Sequence, residues 1–198
     1  MTCFDAETEG RTFAGLVCSG GQIHSLEFNE CVFRRCAFVE TAFTFCRFTD
    51  CLFDDCDLSV ISVKEVTFTH VRFENSKLLG VNWSLASWDK GGFLEPLAFA
   101  NCDVSYSTFF GLKLHGLKLT GCIAHDADFA EADLTRGHFN QTDFSESRFL
   151  HTNLTEVDFT GASNYTINAA VNILKKTRFS LPEAMTLLYS LDIVLADS

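Results

Sequence analysis

The stretch FNECVFRRCAFVETAFTFCRF, residues 28–48, places a phenylalanine at every fifth position: Phe28, Phe33, Phe38, Phe43 and Phe48. Neither the 3.6-residue period of a helix nor the two-residue period of a strand produces a strict five. Counting outward in the same frame reaches Ile23, Cys18 and Phe13 on one side. On the other it reaches Phe53, Leu58, Val63, Phe68, Phe73, Leu78, Trp83, Trp88 and Phe93. The series then slips by one residue. It resumes at Phe99 and continues through Val104, Phe109, Leu114 and Leu119 to Phe159. Seventeen of the 21 phenylalanines hold this one position, so the frame organises residues 11 to 163.

A second position is also restricted. Two residues before the large apolar residue stand Cys31, Cys36, Thr41, Cys46, Cys51 and Cys56, and later Cys102, Ser107, Cys122, Ala127 and Ala132. This position is mostly small, with exceptions such as Leu26 and Leu112. The other three positions carry nearly all the charge. Each unit thus offers one large and one small inward residue and three outward ones. A unit of five cannot bury its apolar side alone, but stacked copies can, which is the logic of a solenoid.

Composition narrows the function. The net charge of −11 argues against direct binding to nucleic acid and favours a basic partner surface. The N-terminal stretch MTCFDAETEG shows no signal peptide, and no apolar run approaches the roughly 20 residues of a membrane span. Together with nine cysteines, an odd number, this predicts a cytoplasmic chain with reduced thiols. Phosphate-binding glycine loops, HExxH and CxxC are absent from the sequence. No catalytic residue, metal site or cofactor is expected, and the chain reads as a non-enzyme. The six histidines fall at outward positions, with His115 the least certain. His125 and Asp126 are neighbours, but acid–base chemistry needs a pocket that a packed solenoid does not offer.

Ala127-Asp128-Phe129-Ala130-Glu131, Ala132-Asp133-Leu134-Thr135-Arg136 and Thr152-Asn153-Leu154-Thr155-Glu156 resemble the repeat unit of the pentapeptide-repeat family. The resemblance covers about three quarters of the chain. It implies an all-β fold, a right-handed quadrilateral parallel β-helix with four units per coil and coils about 4.8 Å apart. Residues 20 apart then stack. Arg148 stacks on Asp128, Glu156 on Arg136 and Asp158 on His138 as complementary ladders, each exposed pair contributing well under ~1 kcal/mol. The cysteine pairs Cys31/Cys51, Cys36/Cys56 and Cys102/Cys122 also stack, in an orientation poor for disulfides, and read as small wall hydrophobes.

One face differs. The units centred on Val104, Ala124 and Phe144 carry Asp103, Asp126, Asp143 and Glu146 and no Lys or Arg, with Asp126 directly beneath Glu146. Residues 121–163 hold eight acids and two bases. This acidic stripe is the first candidate for partner binding. The slip is the second. Its Gly91-Gly92 and Pro96 are loop signals, so residues 89–98 hold either a one-residue bulge or a six-residue projecting loop presenting Asp89, Lys90, Phe93, Leu94 and Glu95.

After Asn164 the frame fails. Ser180-Leu181-Pro182-Glu183 predicts a capping-box helix start, followed by an apolar stripe of Ala184, Leu187, Leu188 and Leu191, with a short strand candidate at 193–195. Residues 1–10 read as a lead-in and 164–198 as a segment that caps the solenoid and joins two copies. Asn164-Tyr165-Thr166-Ile167, the stretch 178–184 and Leu191-Asp192-Ile193 resemble the C-terminus of the gyrase-protecting pentapeptide-repeat proteins: the quinolone-resistance (Qnr-type), mycobacterial fluoroquinolone-resistance and albicidin self-immunity groups. That resemblance implies a homodimer joined through this segment. It further implies an acidic surface that imitates DNA, binds DNA gyrase or a related type II topoisomerase, and protects it from a poison. The alternative is a non-enzymatic scaffold for another basic partner.

Overall fold

The computed structural model describes residue 4, residues 7–88 and residues 97–191. The predicted loop residues Asp89, Lys90, Phe93, Leu94 and Glu95, and the strand candidate at 193–195, lie outside the described residues. The chain forms a parallel β-solenoid. Three- and four-residue strands at Thr12–Ala14, Val32–Arg34, Leu52–Asp54, Val71–Glu74, Leu97–Ala100 and Lys118–Thr120 stack in that order on one face. Their register is the one the five-residue frame predicts: Phe13 pairs with Phe33, and Phe33 with Phe53. Isolated bridges extend the same ladder through His138 and Asp158 to Arg178. We call this the first face. The second follows Val17, Ala37, Asp57, Lys77, Asp103, Ile123, Asp143 and Ser163. The third includes Gln22, Ala42, Ser62, Asn82, Thr108, Asp128 and Arg148, and the fourth includes Glu27, Arg47, Thr67, Lys113, Asp133, Asn153 and Ile173.

The register jumps once. Phe73 pairs with Phe99, Lys77 with Asp103 and Asn82 with Thr108, a separation of 26 residues where other coils have 20. Phe99 therefore holds the position above Phe73 that counting in fives gives to Phe93. Six residues more than a coil needs lie between Trp88 on the fourth face and Leu97 on the first. Trp88 stacks on Phe68 (6.2 Å) and its Nε1 donates to the Trp83 carbonyl at 2.8 Å, which anchors Trp88 in the wall.

Each turn between faces is made by the third outward residue of a unit. From Ser25 (φ 54°) to Lys176 (φ 56°) these residues recur in the left-handed region, including the β-branched Val60 (φ 58°), with Leu85, inside the 3-10 turn Trp83–Leu85, an exception. A non-glycine residue there costs roughly 1–2 kcal/mol, so the stacked coils must impose it. The aromatic columns supply the opposing force. Phe33 stacks on Phe53 at 4.5 Å, Phe28 on Phe48 at 4.9 Å and Phe109 on Phe129 at 5.0 Å. Rings of adjacent columns meet edge to face, as Phe28 and Phe33 do (5.4 Å, 73°). Both geometries are favourable for aromatic pairs.

The small inward residue is a hydrogen-bonding group as well as a filler. The Cys36 N–H donates to the sulfur of Cys56 (3.4 Å), whose S–H donates to the Phe33 carbonyl (3.4 Å). Ser76 bridges the Cys56 N–H (3.0 Å) and the Phe53 carbonyl (3.4 Å) one coil on. Thr142 does the same for Cys122 and Leu119, and Asn172 for Thr152 and Phe149. These backbone groups lie where the chain turns, and buried backbone groups need partners. Cysteine, serine and threonine are therefore interchangeable donors at a small site. Reading the cysteines as plain small hydrophobes left this out. Burial pushes the Cys51 and Cys56 thiols up to about 12, so they stay protonated as donors. Cys31, Cys36, Cys46, Cys51, Cys56, Cys102 and Cys122 are buried and in no disulfide.

At the C-terminus the frame breaks at Asn164 and returns. Ile173 bridges to Asn153, and Phe179 pairs with Phe159 in the 20-residue register. Tyr165 and Phe179 close over Phe159 (5.5 and 5.2 Å). The capping box does not form. The Ser180 hydroxyl accepts instead from the Gly161 N–H at 2.9 Å, which ties the segment to the last coil. The helical turn begins at Glu183 without a side-chain cap, as a 3-10 turn to Met185 that runs into an α-helix at Thr186–Tyr189.

Candidate functional site

Asp126 and Glu146 occupy successive coils on the edge between the second and third faces. The Asp126 N–H donates to Ser145 O (2.9 Å), which places each carboxylate at the same turn of its coil. Both residues are exposed and left-handed (φ 52° and 57°). Among the described residues neither carboxylate has an ion-pair partner. Like charges one coil apart repel, and the turn geometry holds them outward.

Asp103 and Asp143, expected beside them, do different work. Ser105 donates to Asp103 Oδ1 through its N–H (3.1 Å) and its hydroxyl (2.6 Å). Ser145 does the same to Asp143 (3.0 and 2.8 Å). Asp128, Asp133, Asn153 and Asp158 close the same two-residue turn. An Asx oxygen accepting from the N–H two residues on is a local turn device, and it explains why Asp or Asn recurs just before the large residue. Asp143 is further held by Asn164 Nδ2 (2.9 Å) and His125 Nε2 (3.0 Å). Burial works against its ionisation, but the bonds from Asn164, His125 and Ser145 outweigh it and leave the carboxyl well below the usual range. The shifted register also brings Lys77 beside Asp103, so the face that counting in fives leaves without a cation has one at its border.

The complementary ladders form to different degrees. Arg148 binds Asp128 bidentately at 3.0 and 2.6 Å. Arg136 and Lys176 flank Glu156 at 4.0 and 3.8 Å. His138 is in register with Asp158, without a close ion pair among the described residues. His125, adjacent in sequence to Asp126, turns to Asp143 instead.

Faces follow one another around each coil, so the second–third edge with Asp126 and Glu146 is diagonal to the fourth–first edge, where Trp88 and Leu97 stand. Of the predicted dimer residues, Ala184, Leu187 and Leu188 are half-buried, with Leu187 against the solenoid core. Leu191 is exposed, together with Leu181, Met185 and Tyr189, which the apolar stripe did not include. Among the described residues no helix is long and apolar enough to cross a membrane, and no His/Cys/Asp/Glu group could hold a metal ion.

Two family models match the chain: the pentapeptide repeat region over residues 26–109 and pentapeptide repeats (8 copies) over residues 125–161. No curated protein matches in sequence. Among solved structures, a trypsin-treated variant of QnrB1, a plasmid-mediated fluoroquinolone resistance protein, superposes with a TM-score of 0.64 at 19% identity. That match covers 96% of this chain and 92% of the other. Full-length QnrB1 gives 0.57 at 17% identity, covering 94% and 100%. At these identities the likeness is one of fold.

Proposed function

The chain belongs to the pentapeptide-repeat family, and on that premise we propose that it is a non-enzymatic protein that binds DNA gyrase or a related type II topoisomerase. Its acidic rod stands in for a DNA segment and protects the enzyme from a quinolone or albicidin-like poison, giving resistance or self-immunity. It acts in the cytoplasm as a homodimer joined through its C-terminal segment. The observation that carries the reading is the pair Asp126 and Glu146. Two exposed, unpaired carboxylates repeat at the coil spacing of about 4.8 Å on one edge, where a neighbouring cation would have lowered their repulsion. A cationic groove shaped for DNA phosphates supplies that cation from outside. The exposed Leu181, Met185, Tyr189 and Leu191 on the end segment support the dimer.

Supercoiling by purified gyrase, with and without a poison, tests the reading alongside direct binding. Wild type is expected to bind and to restore supercoiling. Asp126→Lys with Glu146→Lys should abolish both while leaving the melting temperature near wild type, because neither side chain holds the wall. Absence of binding and of rescue by wild type overturns the reading and leaves a scaffold for another basic partner.

A further inference from the structure

The third face changes character along the rod. The outward position following its large residue holds His24, Thr44, Lys64 and Ser84 in the N-terminal half. In the next three coils the same position holds Phe110, Ala130 and Leu150. Their stacking is direct: Gly111 N–H donates to Ala130 O (2.9 Å) and Glu131 N–H to Leu150 O (2.8 Å). Phe110 is 43% and Leu150 38% exposed, whereas Ala130 between them is 2% exposed. The alanine is covered, and Phe110 and Leu150 stand on either side of it in one apolar column, a ridge rather than scattered exposed residues. The exposed Val17, Phe45, Val60 and Leu85 of the other half form no such run: Phe45 and Leu85 share a column, but Glu65 stands between them.

Acids border this ridge on both sides. Across the face stand Asp126 and Glu146, with Tyr106, 66% exposed, in line below them. On the near edge Glu131 is exposed at the next residue. The one cation on this part of the face, Arg148, is engaged by Asp128. An apolar centre with an acidic rim is not the surface of a plain polyanion. DNA phosphates are charged throughout, and a mimic that worked by charge alone would need no ridge.

Resting on the function proposed above, we infer that the third face between Phe110 and Leu150 is the docking face for the topoisomerase. It seats on a patch of the partner that is apolar at its centre and ringed by Lys and Arg. The rim carboxylates steer the approach and the ridge holds the complex, since rim charges act chiefly on association and buried apolar contacts on dissociation.

Affinity for purified gyrase, measured across a salt series, separates the two contributions. Phe110→Ser with Leu150→Ser should bind at least about tenfold more weakly at every salt concentration, with the slope of log affinity against log salt unchanged. Leu150→Thr, a residue already accommodated at Thr44 and Thr155 in the same place of the unit, should show a smaller loss of the same kind and guards against misfolding of the double variant. Asp126→Asn with Glu146→Gln should flatten the slope. Wild-type affinity in both ridge variants, with loss only in the acid variant, overturns the inference and leaves the function standing. Failure of wild type to bind removes both. A ridge substitution that changes the protein's own oligomeric state, read by analytical ultracentrifugation, makes a second copy the occupant and also overturns it.

Discussion

The two halves of the rod, before Trp88 and after Leu97, share an interior and differ outside. Inside, stacked aromatics run through both, from Phe33–Phe53 at 4.5 Å to Phe129–Phe149 at 5.1 Å. Where this position holds a donor, it is mostly cysteine in the N-terminal half and mostly serine, threonine or asparagine in the C-terminal half, and Cys56, Thr142 and Asn172 bridge the same pair of backbone groups. Outside, single columns change from His24–Thr44–Lys64–Ser84 to Phe110–Ala130–Leu150, and from Glu40–Val60–Gly80 to Tyr106–Asp126–Glu146. The wall constrains only the inward residues and the turn device. The outward positions are free to vary, so function is sought where one column departs from its own other half.

If the interiors are equivalent, Phe33→Ala and Phe129→Ala should cost alike, about 3–5 kcal/mol each by the scale of buried aromatic truncation. Urea melts of both variants check this, and a large inequality breaks the comparison. The corner donors should also be interchangeable across halves. Cys56→Ala and Thr142→Ala should each cost about 1–3 kcal/mol because a buried N–H and C=O lose their partner, whereas Cys56→Ser should stay within about 1 kcal/mol of wild type. A neutral Cys56→Ala would reduce the cysteine to a filler after all.

Smaller effects sharpen the surface side. Val60→Gly should stabilise by about 0.5–1 kcal/mol: relief of the left-handed strain exceeds the entropy glycine brings, and the exposed Val60 side chain packs little. Asp126→Asn should raise stability by well under ~1 kcal/mol through relief of the Glu146 repulsion, even as it weakens binding. In acid the halves should part. Asp128, Asp133, Asp143 and Asp158 resist burial through hydrogen bonds and nearby cations, and all four sit below their ordinary value. A depressed carboxylate adds stability above the unfolded value near 3.9 and loses it as pH falls through the folded one. Hydrogen exchange below about pH 4 should therefore show the C-terminal half opening first.

Most of the wall was legible because a period of five has no other physical source than units that stack. The acid pair Asp126 and Glu146 followed from that period alone. The turn role of Asp103 and Asp143 is not legible because a carboxylate's charge is visible in a sequence, whereas its engagement by Ser105, Ser145, His125 and Asn164 depends on the turn around it. The capping box at Ser180 was a sound local signal that lost to a tertiary one, the Gly161 N–H of the last coil. The ridge is not legible in the sequence, because Phe110, Ala130 and Leu150 are separated by 20 residues and look like ordinary outward exceptions until they stack.

By itself the sequence determined the solenoid, its inward and outward residues, and the side chains that meet wherever the period runs unbroken, because hydrophobic periodicity and coil length are local, additive quantities. Only the tertiary structure decided how the halves join. At the slip the chain can keep or lose its place, and the choice rests on the pairing of Phe73 with Phe99 across 26 residues. That pairing puts Lys77 beside Asp103 and sets the acidic edge diagonal to the edge where Trp88 and Leu97 stand.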